Sequence, residues 1–491
     1  MATALIALYF IVLLLLCGYG LHRARLAWLC LRCQPRDAVR EVETAALPSV
    51  TIQLPLYNEA TVVQRLLDAV SRMDYPADRL EIQVLDDSDD ETRVLAQITV
   101  ERLQRQGLDI QYLRRPTREG YKAGALEFGL KSAKGELIAI FDADFVPNSD
   151  FLKSVVGHFQ QPGVGMVQAR WGHLNRDASL LTVLQALMLD GHHLVENRAR
   201  YAVGCYFNFA GTAGVWRRSA IVGAGGWQHD TLTEDLDLSY RAQLAGWRFV
   251  YRPDVVTPSE LPEDISAFRA QQYRWAKGTV QTARKLLREV VNERLLTPGQ
   301  RLEAVFHLTP HFAYPLMLTL SVLLPWALAL LPAVDDWRTM LLIDAPLFCG
   351  ATGSLAAFYA IANRAQGRPV SEALKRLPAL MALGVGLSPH LSRAVFEGLL
   401  SDAGEFVRTP KRGIRSGRYH QRLRLPVAEL LLALLSAASV AISLETDHYL
   451  ATPFALLFTL GYAYMAGMMM IEQLARRRAL APSAASAIGK I

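Results

Sequence analysis

The chain has 491 residues, 51% hydrophobic and 20% charged, with a formal net charge of +6, and its mean hydropathy is +0.16. This apolar content excludes a disordered chain, and this many charges exclude a protein lying wholly in lipid. A soluble part joined to a membrane part fits both figures.

Ala2 to Leu21 carries no charge and is long enough to span a bilayer. It lacks the basic start and small-residue cleavage site of a secretory signal. Arg23, Arg25, Arg32, Arg36 and Arg40 follow. The positive-inside rule then places the amino terminus outside and the next segment in the cytoplasm.

From His22 to Glu303 the sequence is mixed and charged, as in a globular domain. Val50–Pro55 reads as a strand, followed by a helical pattern at Val62, Val63, Leu66, Leu67 and Val70. Ile82–Leu85, Ile110–Leu113 and Leu137–Phe141 read as further strands, the second ending in Asp86-Asp87-Ser88 and the fourth in Asp142-Ala143-Asp144. Strands alternating with helices predict a mostly parallel α/β sheet, with its ligand beyond the carboxyl ends of the strands.

Apolar runs return at Phe312–Val334, Ala345–Asn363, Leu425–Leu444 and Tyr449–Ile471, with Glu429 near one interface. Leu377–Leu400 is apolar but carries Pro389, His390, Arg393 and Glu397, and basic residues flank both of its ends. Since both flanks favour the cytoplasm, this stretch is expected to be interfacial or re-entrant. The division expected is an anchor at 1–21, a cytoplasmic domain at 22–303, a helical membrane bundle at 304–475 and a cytoplasmic tail at 476–491. A basic loop at 401–424 interrupts the bundle. The basic residues cluster beside the apolar runs, where anionic lipid attracts them, so the charge calls for a lipid bilayer and for no nucleic acid. Of the five cysteines, Cys30 and Cys33 form a lone CxxC with no partner pair, and no zinc site is expected.

Neither GxGxxG nor GxxxxGK[ST] occurs, so phosphate charge must be met differently from a dinucleotide fold or a P-loop. Asp142 and Asp144 follow a buried-looking run, and alternation along an extended segment would turn both carboxylates to one side. Two such oxygens suit Mg2+ or Mn2+ completed by diphosphate oxygens. Thr233-Glu234-Asp235 opens a helical pattern, with Thr233 suited to the N-cap. The helix dipole there favours an ionised Asp235, as a base acting on a sugar hydroxyl requires. Gln271, Arg274 and Trp275, at i, i+3 and i+4, share one helix face. They offer a flat ring for a sugar and hydrogen bonds for hydroxyls or a diphosphate.

With these residues in place, the sequence resembles a processive, membrane-bound family 2 glycosyltransferase of the cellulose-synthase-like group, above all its plant mannan/glucomannan and glucan synthases. The stretches QLPLYNE at 53–59, QVLDDS at 83–88, GYKAGAL at 120–126, IFDADF at 140–145, VQARW at 167–171, FAGTAG at 209–214, TED at 233–235 and the QxxRW run carry the likeness. A basic stretch at 405–411 is similar in position to a gating loop. The resemblance implies a GT-A domain and an inverting transfer from a nucleotide sugar, GDP-mannose or UDP-glucose, to a growing glycan. By the same resemblance Pro55, Tyr57, Glu59, Asp86, Asp87 and Lys122 would line the nucleotide and diphosphate. Asp142 and Asp144 would hold the metal, and Asp235 would be the base. Gln271, Arg274, Trp275, Gly211, Thr212 and Glu234 would border the acceptor. Ala210 departs from the Asn or Cys expected there. A non-processive enzyme moving one sugar to a ceramide or diacylglycerol lipid is the alternative, and the number of apolar runs favours polymer export.

Overall fold

A computed structural model describes residues 2–33, 47–330, 349–401 and 425–480. The basic loop after Ser401, the 405–411 stretch and the tail beyond 480 lie outside the described residues, as do Arg36 and Arg40.

Seven strands form one sheet: β1 (Val50–Leu56), β2 (Leu80–Asp86), β3 (Ile110–Leu113), β4 (Leu137–Ile140), β5 (Val164–His173), β6 (Gly214–Arg217) and β7 (Arg248–Ser259). Their order is β3-β2-β1-β4-β6-β5-β7. β1 to β4 are mutually parallel, β6 runs antiparallel to both β4 and β5, and β5 is parallel to β7. The expected mostly parallel sheet is therefore present. β4 is buried at every position and β1 at all but Pro55, as strands covered on both faces require. Ile52, Leu54, Leu66 and Val84 form the core on one side; Leu126, Ile138, Met166 and Trp216 form it on the other.

The order also locates the site. The chain leaves β1 towards β2 on one side and returns to β4 on the other. Ligands bind where such a sheet changes direction, outside the carboxyl ends of its strands. Those ends are Leu56, leading into Tyr57, and Ile140, leading into Asp142.

Among the described residues, five helical stretches are long and apolar enough to cross a membrane: Ala2–Arg32, Pro310–Leu330, Val370–Leu400, Val427–Glu445 and Thr452–Arg476. The chain is thus a multi-pass membrane protein. The first helix runs past the expected boundary at 21. Its end packs Leu26, Ala27 and Cys30 against Leu181, Leu184 and Val195, while Arg25 and His22 meet the buried Glu303 at 2.6 and 3.0 Å. Arg200 reaches the same carboxylate at 3.1 Å, so an ion cluster joins the anchor to the α/β domain.

One membrane expectation changes in part. Of the interfacial or re-entrant element expected at 377–400, the re-entrant form is not seen: Val370–Leu400 is one continuous helix through Pro378 and Pro389. Its charges are matched: Glu397 pairs with Arg393 at 2.7 Å and also meets Lys277. Of the predicted 345–363 span, residues 345–348 lie outside the described residues; the rest is a short π-helical turn, Cys349–Gly353, running into a helix, Ser354–Ala365.

Candidate active site

A cleft of about 1260 Å³ of empty space, part of it open to solvent, lies where the sheet order predicts. One wall begins with Pro55, Tyr57 and Glu59 after β1, and Asp87 after β2. Asp87 is held by Arg115 in a two-pronged pair, Nε to Oδ1 at 3.0 Å and Nη2 to Oδ2 at 2.5 Å. The same guanidinium donates to the carbonyls of Glu119 and Tyr121 at 2.6 and 2.9 Å. Asp87 thereby shapes the loop that delivers Lys122, across a turn with positive φ at Gly120 (69°) and Tyr121 (50°). Asp86 does not line the cleft. It is buried and accepts from the Tyr112 hydroxyl at 2.6 Å and the Ser88 amide at 2.9 Å.

Asp142 and Asp144 both line the cleft. The extended segment expected for them is a tight turn, in which the Phe145 amide donates to the Asp142 carbonyl at 3.1 Å. Lys122 Nζ lies 2.5 Å from Asp142 Oδ1 and 2.9 Å from the Gly211 carbonyl. Burial alone would lower the lysine pKa. The surrounding Asp142, Glu234 and Asp235 outweigh it and hold the ammonium above its usual range. Thr212 lies beneath the cleft, fully buried, with its hydroxyl accepting from the Asp142 amide at 2.9 Å. Gly211, at φ +83°, leaves no room for a side chain: an added Cβ would sit 2.9 Å from Asp235 Oδ2.

Glu234 and Asp235 start the helix Glu234–Leu244 and face the cleft. Thr233 occupies the N-cap position without capping; its hydroxyl pairs instead with Thr282 at 3.2 Å. Sequence alone predicts an Asp235 ionised by the helix dipole, and the structure differs. Burial, then Glu234, raises the Asp235 carboxyl to about 7, and burial raises Glu234 as well. Desolvation and a like charge outweigh the dipole here.

Gln271, Arg274 and Trp275 all face the cleft from one side of the helix Ile265–Asn292. Burial lowers the Arg274 pKa, opposed by Glu234, Asp142, Asp235 and Asp144. Gly278, one turn on, brings this helix against the loop before Glu234. An added Cβ there would meet Thr233 Cγ2 at 2.6 Å and Thr233 N at 2.8 Å.

Sequence reasoning missed several members. Arg118 lies 3.3 Å over the Tyr57 ring, a cation–π contact in the wall of the cleft. Tyr121, Phe145, Trp171 and Glu260 also line the cleft. Tyr121 directly precedes Lys122 and Arg118 lies four residues before it, and that nearness was the available signal. Among the described residues no three His, Cys, Asp or Glu side chains converge to hold a metal. The oxygen-only pair Asp142 and Asp144 fits a hard cation whose shell a diphosphate completes.

Residues 48–278 match the family described as glycosyltransferase like family 2. The match takes in a little under half of the chain, and over it the segment is similar to family 2 glycosyltransferases. The chain is 43% identical over 282 residues to glucomannan 4-beta-mannosyltransferase 1 of Oryza sativa subsp. japonica, covering 56% of this chain and 54% of that protein. It is 38% identical over 322 residues to glucomannan 4-beta-mannosyltransferase 2 of Arabidopsis thaliana, covering 61% and 60%. The chain therefore spans only a little over half the length of these relatives. Among solved structures it resembles a mannosyltransferase of Pyrobaculum calidifontis in complex with GDP-Man and Mn2+, with 25% identity and a TM-score of 0.52, covering 80% of this chain and 99% of that one.

Proposed function

We propose that the chain is an inverting, processive hexosyltransferase that builds a β-1,4-linked mannan or glucomannan from GDP-mannose. In this reading the α/β domain faces the cytoplasm at the plasma or inner membrane, and the polymer leaves through the helical bundle. One observation carries it: strand ends, the Glu234–Leu244 helix and the QxxRW helix, far apart in sequence, meet around one cleft. The relatives named as glucomannan mannosyltransferases and the neighbour holding GDP-Man support mannose over glucose.

Tyr57 and Arg118 receive the nucleotide end, and Lys122 presents positive charge to the diphosphate. Gln271, Arg274 and Trp275 hold the terminal sugar of the acceptor, which replaces a chance encounter by a fixed geometry. Asp235 takes the proton from the acceptor hydroxyl. That oxygen bonds to the anomeric carbon from the face opposite the diphosphate, whose bond breaks, so an α-linked donor yields a β-linkage. Asp142 and Asp144 would hold Mg2+ or Mn2+, which supplies further positive charge to the departing diphosphate when bound.

The test is purified full-length protein in detergent, offered labelled GDP-mannose and UDP-glucose with Mn2+ or Mg2+. A long β-1,4-linked product from GDP-mannose is expected. An organic-soluble monoglycoside as sole product would overturn processivity, and incorporation from UDP-glucose alone would overturn the donor.

A further inference from the structure

The helix Ile265–Asn292 has a second polar stripe that the cleft does not use. Ser266, Arg269, Tyr273, Lys277, Gln281 and Arg284 recur at spacings of three and four, which is one face of a helix. Gln271, Arg274 and Trp275 occupy a different face. Each turn of this second stripe meets the C-terminal helices.

Ser266 donates to Glu472 of the last helix from its amide at 3.1 Å and its hydroxyl at 2.6 Å. Arg269 Nη1 meets Glu429 Oε1, on the helix Val427–Glu445, at 2.8 Å. Tyr273 donates its hydroxyl to Glu397 on Val370–Leu400, and Lys277 reaches the same carboxylate at 3.4 Å. Arg284 donates to the Gly398 carbonyl at 3.1 Å, and Gln281 to the Ser401 carbonyl at 3.1 Å. Gly398 permits the close crossing, since a Cβ there would lie 2.9 Å from the Lys277 carbonyl oxygen.

Three carboxylates, from three helices able to cross a membrane, thus converge on one helix. A carboxylate in such a helix is costly unless it is paired, and the Arg269 and Glu429 side chains are only 12% and 6% exposed. None of the three lines the cleft, so the transfer chemistry does not explain them.

We propose that Glu397, Glu429 and Glu472 are positioning residues that clamp the QxxRW helix to the bundle and so set where Gln271, Arg274 and Trp275 hold the acceptor. The proposal rests on reading the cleft as a glycosyl-transfer site. In this arrangement a shift of the bundle moves the acceptor grip, while the donor side, built on strand ends, stays in place.

The test uses full-length protein in lipid nanodiscs with labelled GDP-mannose. The variants are Glu397→Gln, Glu429→Arg, and Glu429→Arg combined with Arg269→Glu. Hydrogen exchange of the 266–281 amides reads the clamp without any activity. Product length and acceptor KM, set against donor KM and donor hydrolysis, read its effect on transfer. Glu397→Gln is expected to speed the exchange, and to shorten the product and raise acceptor KM roughly fivefold, within the range of couplings between contacting residues, while leaving donor hydrolysis alone. Glu429→Arg does the same more strongly, and the charge swap restores the product length. Unchanged exchange overturns the clamp. Equal losses of donor hydrolysis and transfer, or a swap that restores nothing, overturn its positioning role. If the wild type makes no polymer yet the variants loosen the helix, the clamp stands and the glycosyl-transfer reading falls.

Discussion

The two ends of the cleft are built from different material. The proposed donor end is made of strand ends and short loops within one sheet. Asp142 is tied to Thr212 and Lys122, and Asp87 to Arg115. The proposed acceptor end is one face of a helix whose other face grips the membrane helices through Arg269–Glu429 and Lys277–Glu397. In the proposed reaction, rigid groups would suit a leaving diphosphate, whose geometry repeats at every turnover. A helix shared with the bundle would suit a growing acceptor, which would move on by one sugar after each addition. Separate substitutions should therefore damage the two ends separately.

The largest effect falls between them. Asp235→Asn removes the proposed base and should lower transfer by about 10²–10⁴-fold, the usual contribution of such a group, while GDP-mannose binding persists. Label incorporation against donor binding measures both, and a variant retaining most of its transfer moves the base elsewhere. The same residue predicts a pH dependence. Its carboxyl is raised to about 7, so it is protonated below that pH and ionises as pH rises through it. Because the base acts ionised, the acid limb of kcat/KM should rise through neutrality. The sign for stability is opposite: the neutral buried carboxyl favours folding at low pH, and that share is lost as pH passes about 7.

Next in size is the donor end. Lys122→Met removes the cation beside Asp142 and should cost roughly 10²–10³-fold in kcat, as for other groups that meet developing charge. Chelation with EDTA should abolish transfer and added Mn2+ should restore it; full activity in EDTA would remove Asp142 and Asp144 from metal binding. Gly278→Ala joins the two ends, because its Cβ would press on Thr233. Overpacking of this kind costs about 1–3 kcal/mol, so a lower Tm and a loss of transfer should appear together. The smallest effect is Arg118→Ala. Losing a contact of about 1 kcal/mol with Tyr57 should raise donor KM roughly fivefold with product length unchanged. A shortened product instead would show that the two ends are not separable.

Much of the cleft was legible because its signals are short-range. The strand ends and the shared face of Gln271, Arg274 and Trp275 follow from periods of two and 3.6 residues, whereas the turn at Asp142 and Asp144 replaces the extended segment a period of two suggests. The misreadings share one cause, which is partners distant in sequence. Thr233 looked like a cap because Thr282 was out of view. Asp86 looked like a ligand because nothing local shows its bond to Tyr112. The basic flanks of 377–400 argue for an interfacial or re-entrant element, and nothing local shows the unbroken helix whose Glu397 meets Tyr273 and Lys277.

The sequence by itself determined the class of sheet, the membrane character and the chemical types at the cleft, since burial period and residue chemistry are local properties. Only the tertiary structure decided which carboxylates line the cleft and which are packed away from it. It alone decided how strongly Asp235 holds its proton, and that the helix carrying QxxRW belongs to two domains at once. The reason is that desolvation and charge pairing depend on what is packed against a group, and most of those neighbours lie on other elements of the chain.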